Sequence, residues 1–409
     1  MYKDDVWDGM ELAPVCLFRD NGPAFLYNHP NPPATMKRLS EKLYVGKQKD
    51  LNLFGATQAE INGEWTAIVD YGMPGYLSVE EVWAVLFHEL HHVYQRKHVS
   101  HLKYDNPAVL LTYPEDYRND AIKLYEQRLL LEMCNEQDSE RFRDLVNQFY
   151  SCRLERERVI GDYINYDIAV ENFEGPAFYS EYIFYDIISG LSEPLEENYV
   201  QSHFFKILNT PYFGRKNMRE RHLASGMAMS LILSNYFEGW QSEYYQDSLS
   251  LYDFFVSRFA PEKTKLKIDY SYFGLSSFYT RLAAENHRKS REMFYKQSGV
   301  RLVLEFKSFP QFRGLDPMNA EAVDDSTILH STLLSLAGGV DNKLFMTNRE
   351  ALTFYEEDIW FVNKVVLILP REEIDIQDDL IAISGKGLNL NWKGRAKIVD
   401  EEEIVFICE

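Results

Sequence analysis

His88-Glu89-Leu90-His91-His92 sets two histidines four positions apart, with a glutamate directly after the first. On a helix, positions i and i+4 lie on one face, a turn apart, so both imidazoles can reach one divalent ion. Zinc, bound by imidazole nitrogen at about 2.0–2.1 Å, is the usual partner of such a pair. Glu89 then projects beside the coordination position left open, where a carboxylate can take a proton from water acidified by the metal. The chemistry implied is metal-assisted hydrolysis with Glu89 as general base. His91 falls off the ligand face and is expected to pack or to orient a neighbour.

A helix over about 79–98 must carry these residues. Ser78 is a plausible N-cap, and Glu81 three residues on completes a capping box. Val82, Val85, Leu86 and Val93 recur at helical spacing, so much of the helix surface is expected to be buried. Just before it, Leu51–Ile61 and Glu64–Asp70 flank Asn62-Gly63, the strongest short signal for a β-hairpin.

A third ligand has two candidate sources. His88 through His98 reads H-E-L-H-H-V-Y-Q-R-K-H, which is similar to the metzincin pattern except that Gln95 stands where metzincins have glycine. Without that glycine the helix should continue and carry His98 away from the metal face. The other source is Glu171-Asn-Phe-Glu174-Gly-Pro-Ala-Phe-Tyr-Ser-Glu181. Residues 174–181 read E-G-x-A-x-Y-x-E and resemble the second-helix motif of the aminopeptidase N family of gluzincins, relatives of thermolysin. The resemblance implies a zincin-like fold, a bound Zn²⁺, peptide-bond hydrolysis, and Glu174 as the third ligand beside His88 and His92. Glu171 and Glu181 share the helix face of Glu174 and are expected to support the ligands, with Glu171 the alternative ligand.

That family also places a tyrosine three residues before a glycine on a later helix, as oxyanion donor. Arg221-His-Leu-Ala-Ser-Gly226 resembles this helix start, but Leu223 holds the tyrosine position. His222, next to it, is therefore assigned the role, with Tyr179 and Tyr212 as alternatives. No G-x-M-E-N exopeptidase motif occurs, so an aminopeptidase specificity is not implied. The gap from His92 to Glu174 is longer than in the family and is assigned to an inserted helix pair, about 115–160, with Glu126 expected on its surface. His29, His101 and His203 stand alone and are read as surface or satisfied core residues.

Helical periodicity dominates 115–295, whereas Arg301–Phe306, Trp360–Leu369 and Glu403–Cys408 are rich in β-branched and aromatic residues. The expected fold is α+β: a zincin-like, mostly helical domain over 1–298, with a β-hairpin region over 1–75, followed by a β-rich domain over 299–409. The net charge of −20, from 63 acidic against 43 basic residues, argues against nucleic acid as a partner, because phosphate binding needs a basic face. Cys16, Cys134, Cys152 and Cys408 show no C-x-x-C spacing, which excludes a local thiolate metal site. The N-terminal stretch lacks a signal-peptide pattern and no segment is apolar enough to span a membrane, so a cytoplasmic location is expected. The expected partner is a peptide or protein substrate. A zinc hydrolase of a non-peptide bond, or a weakly catalytic zincin-fold binding protein, are the alternatives.

Overall fold

The computed structural model describes residues 6–51, 53–76, 78–99, 106–211, 213–339, 341–377, 379–385, 387–398 and 402–409. The chain is a mixed α+β protein of two compact units. The first comprises Met1–Asp105, Arg118–Tyr212 and Asn217–Phe273, and the second Asn106–Tyr117, Phe213–Lys216 and Gly274–Glu409.

The first unit opens with a six-stranded sheet of β1 (Val15–Phe18), β2 (Pro23–Tyr27), β3 (Lys37–Arg38), β4 (Leu43–Lys47), β5 (Ala56–Ile61) and β6 (Glu64–Asp70). The spatial order is β3-β4-β2-β1-β6-β5. More than the expected hairpin is therefore present, but the hairpin itself is there. β5 and β6 pair antiparallel, and Asn62 and Gly63 turn the chain with φ of 45° and 84°. The pleat sends Cys16, Phe18 and Ile68 to one apolar cluster and Val15, Ala67 and Val69 to the helical core on the other face. β5 lies at the sheet edge, beside helix α1 (Val79–His98).

Helix α1 begins where its sequence says it should. Ser78 Oγ accepts the Glu81 N–H at 3.2 Å, Glu80 and Glu81 occupy the first turn, and Arg96, Lys97 and His98 the last. The helix runs on through Gln95, and His98 at its end pairs with Glu11 at 3.4 Å. Helices α2 (Tyr117–Asn135), α3 (Ser139–Ile160) and α4 (Ile164–Ile188) follow, then α5 (Glu193–His203), α6 (Met218–Tyr236), α7 (Trp240–Gln246) and α8 (Leu251–Phe259).

Helices α4 and α6 cross backbone against backbone. A Cβ on Gly175 would stand 2.5 Å from Gly226 Cα, and one on Gly226 would stand 2.5 Å from the Glu171 carbonyl oxygen. No side chain fits at either position, so the glycines set how closely α4 approaches. Pro176 sits inside α4 and cannot donate to the carbonyl of Asn172, and the Tyr244 hydroxyl beside it donates to the Asn172 side-chain oxygen.

The second unit holds most of α9 (Tyr270–Tyr295) and a barrel-like sheet of twelve strands running from β7 (Val300–Phe306) to β18 (Glu403–Cys408). β18 pairs parallel with β7, and its other neighbour, β17 (Leu388–Ile398), is antiparallel to it. Leu302, Leu334, Leu344, Leu367, Trp392 and Phe406 fill the interior. The sequence marks a change of character at 298/299, where strands begin. The compact unit begins earlier, inside α9, whose Phe294 packs on Val303, Leu352 and Val366 of the sheet. Among the described residues no helix is long and apolar enough to cross a membrane.

Candidate metal centre

Helix α1 supplies His88, Glu89 and His92, all buried, and α4 supplies Glu174. His88 Nε2 lies 3.1 Å from His92 Nε2 and 3.2 Å from Glu174 Oε2, and His92 Nε2 lies 3.4 Å from the same oxygen. Among the described residues these three make the one group of close donor side chains able to hold a metal ion.

The outer contacts hold each ring. His88 Nδ1 lies 3.0 Å from Glu181 Oε2, a charge contact. His92 Nδ1 meets Gln95 Oε1 at 2.8 Å. The Gln95 amide is itself oriented, because its Nε2 donates to the Phe173 carbonyl at 3.0 Å, so His92 Nδ1 must be the donor. Phe173 further stacks on His92, with ring centroids 4.1 Å apart. The two Nε2 atoms and one carboxylate oxygen therefore converge within van der Waals range of one another, which requires a hydrogen or a cation among them.

A proton can meet that demand as well as a metal can. Burial disfavours a charged His88, yet hydrogen bonding to Glu174 and Glu181 outweighs it, and the imidazole is pushed up to about 10. Burial likewise opposes charge on Glu174, but His92, His88 and Arg219 hold its carboxyl well below the usual range. Arg219, on α6, binds Glu174 Oε1 through Nη2, which leaves Oε2 to face the histidines.

Glu89 is held from the sheet edge. Gln58 Nε2, on β5, donates to Glu89 Oε2 at 2.6 Å. The Gln58 amide is oriented by Arg96, whose Nη2 donates to Gln58 Oε1 at 3.2 Å while its guanidinium lies 4.2 Å from the Trp65 ring centroid.

Glu181 lies against His88, and three other assignments need correction. Glu171 is fully buried and turned away into a cluster of charges. Arg153 grips both its oxygens at 2.8 Å, and Lys123 Nζ stands 3.3 Å from Oε1. His222, assigned as oxyanion donor, is also fully buried, with Nδ1 3.3 Å from Glu171 and Nε2 3.0 Å from Asp167. Both ring nitrogens face carboxylates of the interior, so the ring has nothing to offer a reacting group. Glu126 is no surface residue either: it is fully buried against Lys123, Arg153 and Arg156. Three cations and the three carboxylates of Glu126, Asp167 and Glu171 balance there, which is what makes their burial tolerable.

Tyr179 is a packing residue, its hydroxyl taken by Ser234 at 3.0 Å and its ring against Trp7 and Trp240. Tyr212 and His101 lie outside the described residues. His29 is a satisfied core histidine, bonded to Ile61 and Asn31, and His91 is buried between Ser180 and Tyr245. Burial, with His92 and His88 nearby, holds His91 well below its ordinary range, and so neutral.

Sequence reasoning missed Gln58, Gln95 and Arg219 as parts of the centre. Gln95 alone carried a signal, as the residue i+3 from His92 where a glycine was looked for. Comparison with family models, with curated proteins and with solved structures found no match to this chain.

Proposed function

We propose that this chain is a zinc-dependent peptide-bond hydrolase of zincin-like architecture, with His88, His92 and Glu174 as the metal ligands. The observation that carries the reading is the convergence of three potential ligand atoms 3.1–3.4 Å apart, with Gln95 bonded behind His92 and Arg219 behind Glu174. Ligands about 2.0–2.1 Å from a tetrahedral zinc stand about 3.4 Å from one another, so the donor set suits that ion. Two histidines and one glutamate match the three-ligand pattern of catalytic zinc sites. When bound, zinc supplies Lewis acidity, which lowers the pKa of water and polarises a carbonyl.

The chain's own residues do the rest. Glu89 accepts a proton from the attacking water on Oε1, since Oε2 is engaged by Gln58, and passes it to the leaving amine. Gln58 and Arg96 keep the carboxylate from rotating out of reach. Arg219, whose guanidinium lies against Glu174, takes the oxyanion role that the sequence reading gave to His222. β5, an edge strand beside the base, offers backbone groups to an extended substrate.

The test is elemental analysis of purified, untagged protein, followed by a quenched-fluorescence peptide screen. About one zinc per chain is expected, lost in Glu174→Ala but kept in Glu89→Gln, whose turnover should fall by about 10²-fold or more. No metal uptake when zinc is supplied, or full turnover in Glu89→Gln, would refute the reading.

A further inference from the structure

A cavity of about 180 Å³ opens beside the metal group, within the first unit, and the hydrolytic mechanism does not use it. Ala84 and Val85 of α1 line it, and they lie one turn before His88 and Glu89 on the same helix face. Glu81, a further turn back, and Glu181, which lies against His88, bring two buried carboxylates to its walls. Exposed residues Met73–Gly75 form part of its rim.

The walls between the carboxylates are aromatic. Tyr199 stacks on Tyr185 with centroids 4.3 Å apart, and both rings line the cavity. Tyr76 completes the wall, and its hydroxyl is pushed up to about 12, by burial first and then by the negative charges of Glu181, Glu89, Asp70 and Glu81. One imidazole, His203, stands 3.8 Å from Glu181. Two carboxylates at the walls of an aromatic slot suit a cation with an apolar stem: the charge meets the carboxylates and the methylenes lie along the rings. A bare metal ion is a poorer match, because among the described residues these carboxylates belong to no close group of three donor side chains.

We infer that this cavity is the subsite for a lysine or arginine side chain of the substrate peptide, held by Glu81 and Glu181 against the tyrosine wall. The inference rests on the hydrolase reading for its substrate, but it has a test that needs no turnover.

Binding of acetyl-lysine amide and of its uncharged isostere acetyl-norleucine amide to the zinc-loaded protein would be compared by NMR titration. The lysine compound is expected to bind at least about tenfold more tightly, with the advantage reduced toward one in Glu81→Gln. Val85→Phe, which keeps both carboxylates but fills the slot, should abolish binding of both and serves if Glu81→Gln does not fold. Lysine selectivity that vanishes in these variants supports the subsite even if no peptide is cleaved, in which case the hydrolase reading alone falls. Equal binding of the two compounds, or selectivity indifferent to both variants, overturns the subsite. So does peptide cleavage with no preference for basic residues, and in that case the hydrolase reading stands.

Discussion

Gln95→Leu isolates the orienting bond behind one imidazole of the candidate metal centre. Gln95 is fully buried, accepts from His92 Nδ1 at 2.8 Å and donates to the Phe173 carbonyl at 3.0 Å. Leucine fills similar space but accepts nothing, so His92 loses the partner that fixes both its tautomer and its ring plane. Loss of such a support behind a metal-bound histidine typically weakens the metal by about 10–100-fold, or roughly 1.4–2.7 kcal/mol. The orphaned Nδ1–H also costs about 1–3 kcal/mol in folding stability, a cost borne with or without metal. Zinc affinity, read by competition with a chromophoric chelator, separates the two effects. Gln95→Glu keeps an acceptor at Nδ1 and should recover most of the affinity. A Gln95→Leu protein with native circular dichroism and unaltered zinc affinity would refute the claim that Gln95 presents His92 to a metal.

Other consequences are equally open to test. Gly226→Ala gains about 1 kcal/mol of helix propensity, but its Cβ meets the Glu171 carbonyl and the Gly175 Cα at 2.5–2.6 Å. Overpacking of this kind costs about 1–3 kcal/mol or more, so a lower urea midpoint and weaker zinc binding are expected together, as α4, which carries Glu174, is pushed from α6. Arg153→Leu leaves Glu171 and Glu126 short of a buried cation and should cost about 3–5 kcal/mol in urea unfolding; a loss below about 1 kcal/mol would mean that the cluster does not need its charges. In the second unit, His287 bridges Glu115 at 3.1 Å and Glu321 at 2.6 Å, and these bonds push it up to about 9. A raised pKa in the folded state stabilises fully below the unfolded value of about 6.5 and is lost as pH rises through about 9. Unfolding free energy from urea titrations should therefore drop between pH 6 and pH 9.5, by on the order of 1 kcal/mol after allowance for solvent screening, and His287→Gln should flatten that dependence.

Much of what is local was legible in the chain itself. The histidine pair, the intervening Glu89, the cap at Ser78 and the Asn62-Gly63 turn all depend on neighbours a few residues away, and short-range spacing fixes them through helix and turn geometry. The three strands expected after residue 300 are present for the same reason, with starts and ends shifted by at most two residues. Even Gln95 was informative, since the absence of glycine there implied a helix that continues, and it does.

What the spacing left open was decided by contacts between distant segments. Glu171 and Glu174 lie only about 60° apart around one helix axis, so periodicity cannot choose between them. The choice follows from the close crossing at Gly175 and Gly226 and from Arg153 and Lys123, which claim Glu171 for the interior. His222 was misassigned because nothing in a helix start reveals that Asp167 and Glu171 will enclose it. Gln58 and Arg219 reach the centre from a strand edge and a later helix. The sequence alone determined that this protein has a helix able to present two histidines with a glutamate beside the first. Which carboxylate joins them, and which side chains hold them in place, was decided by packing, because long-range contacts leave no periodic trace in the chain.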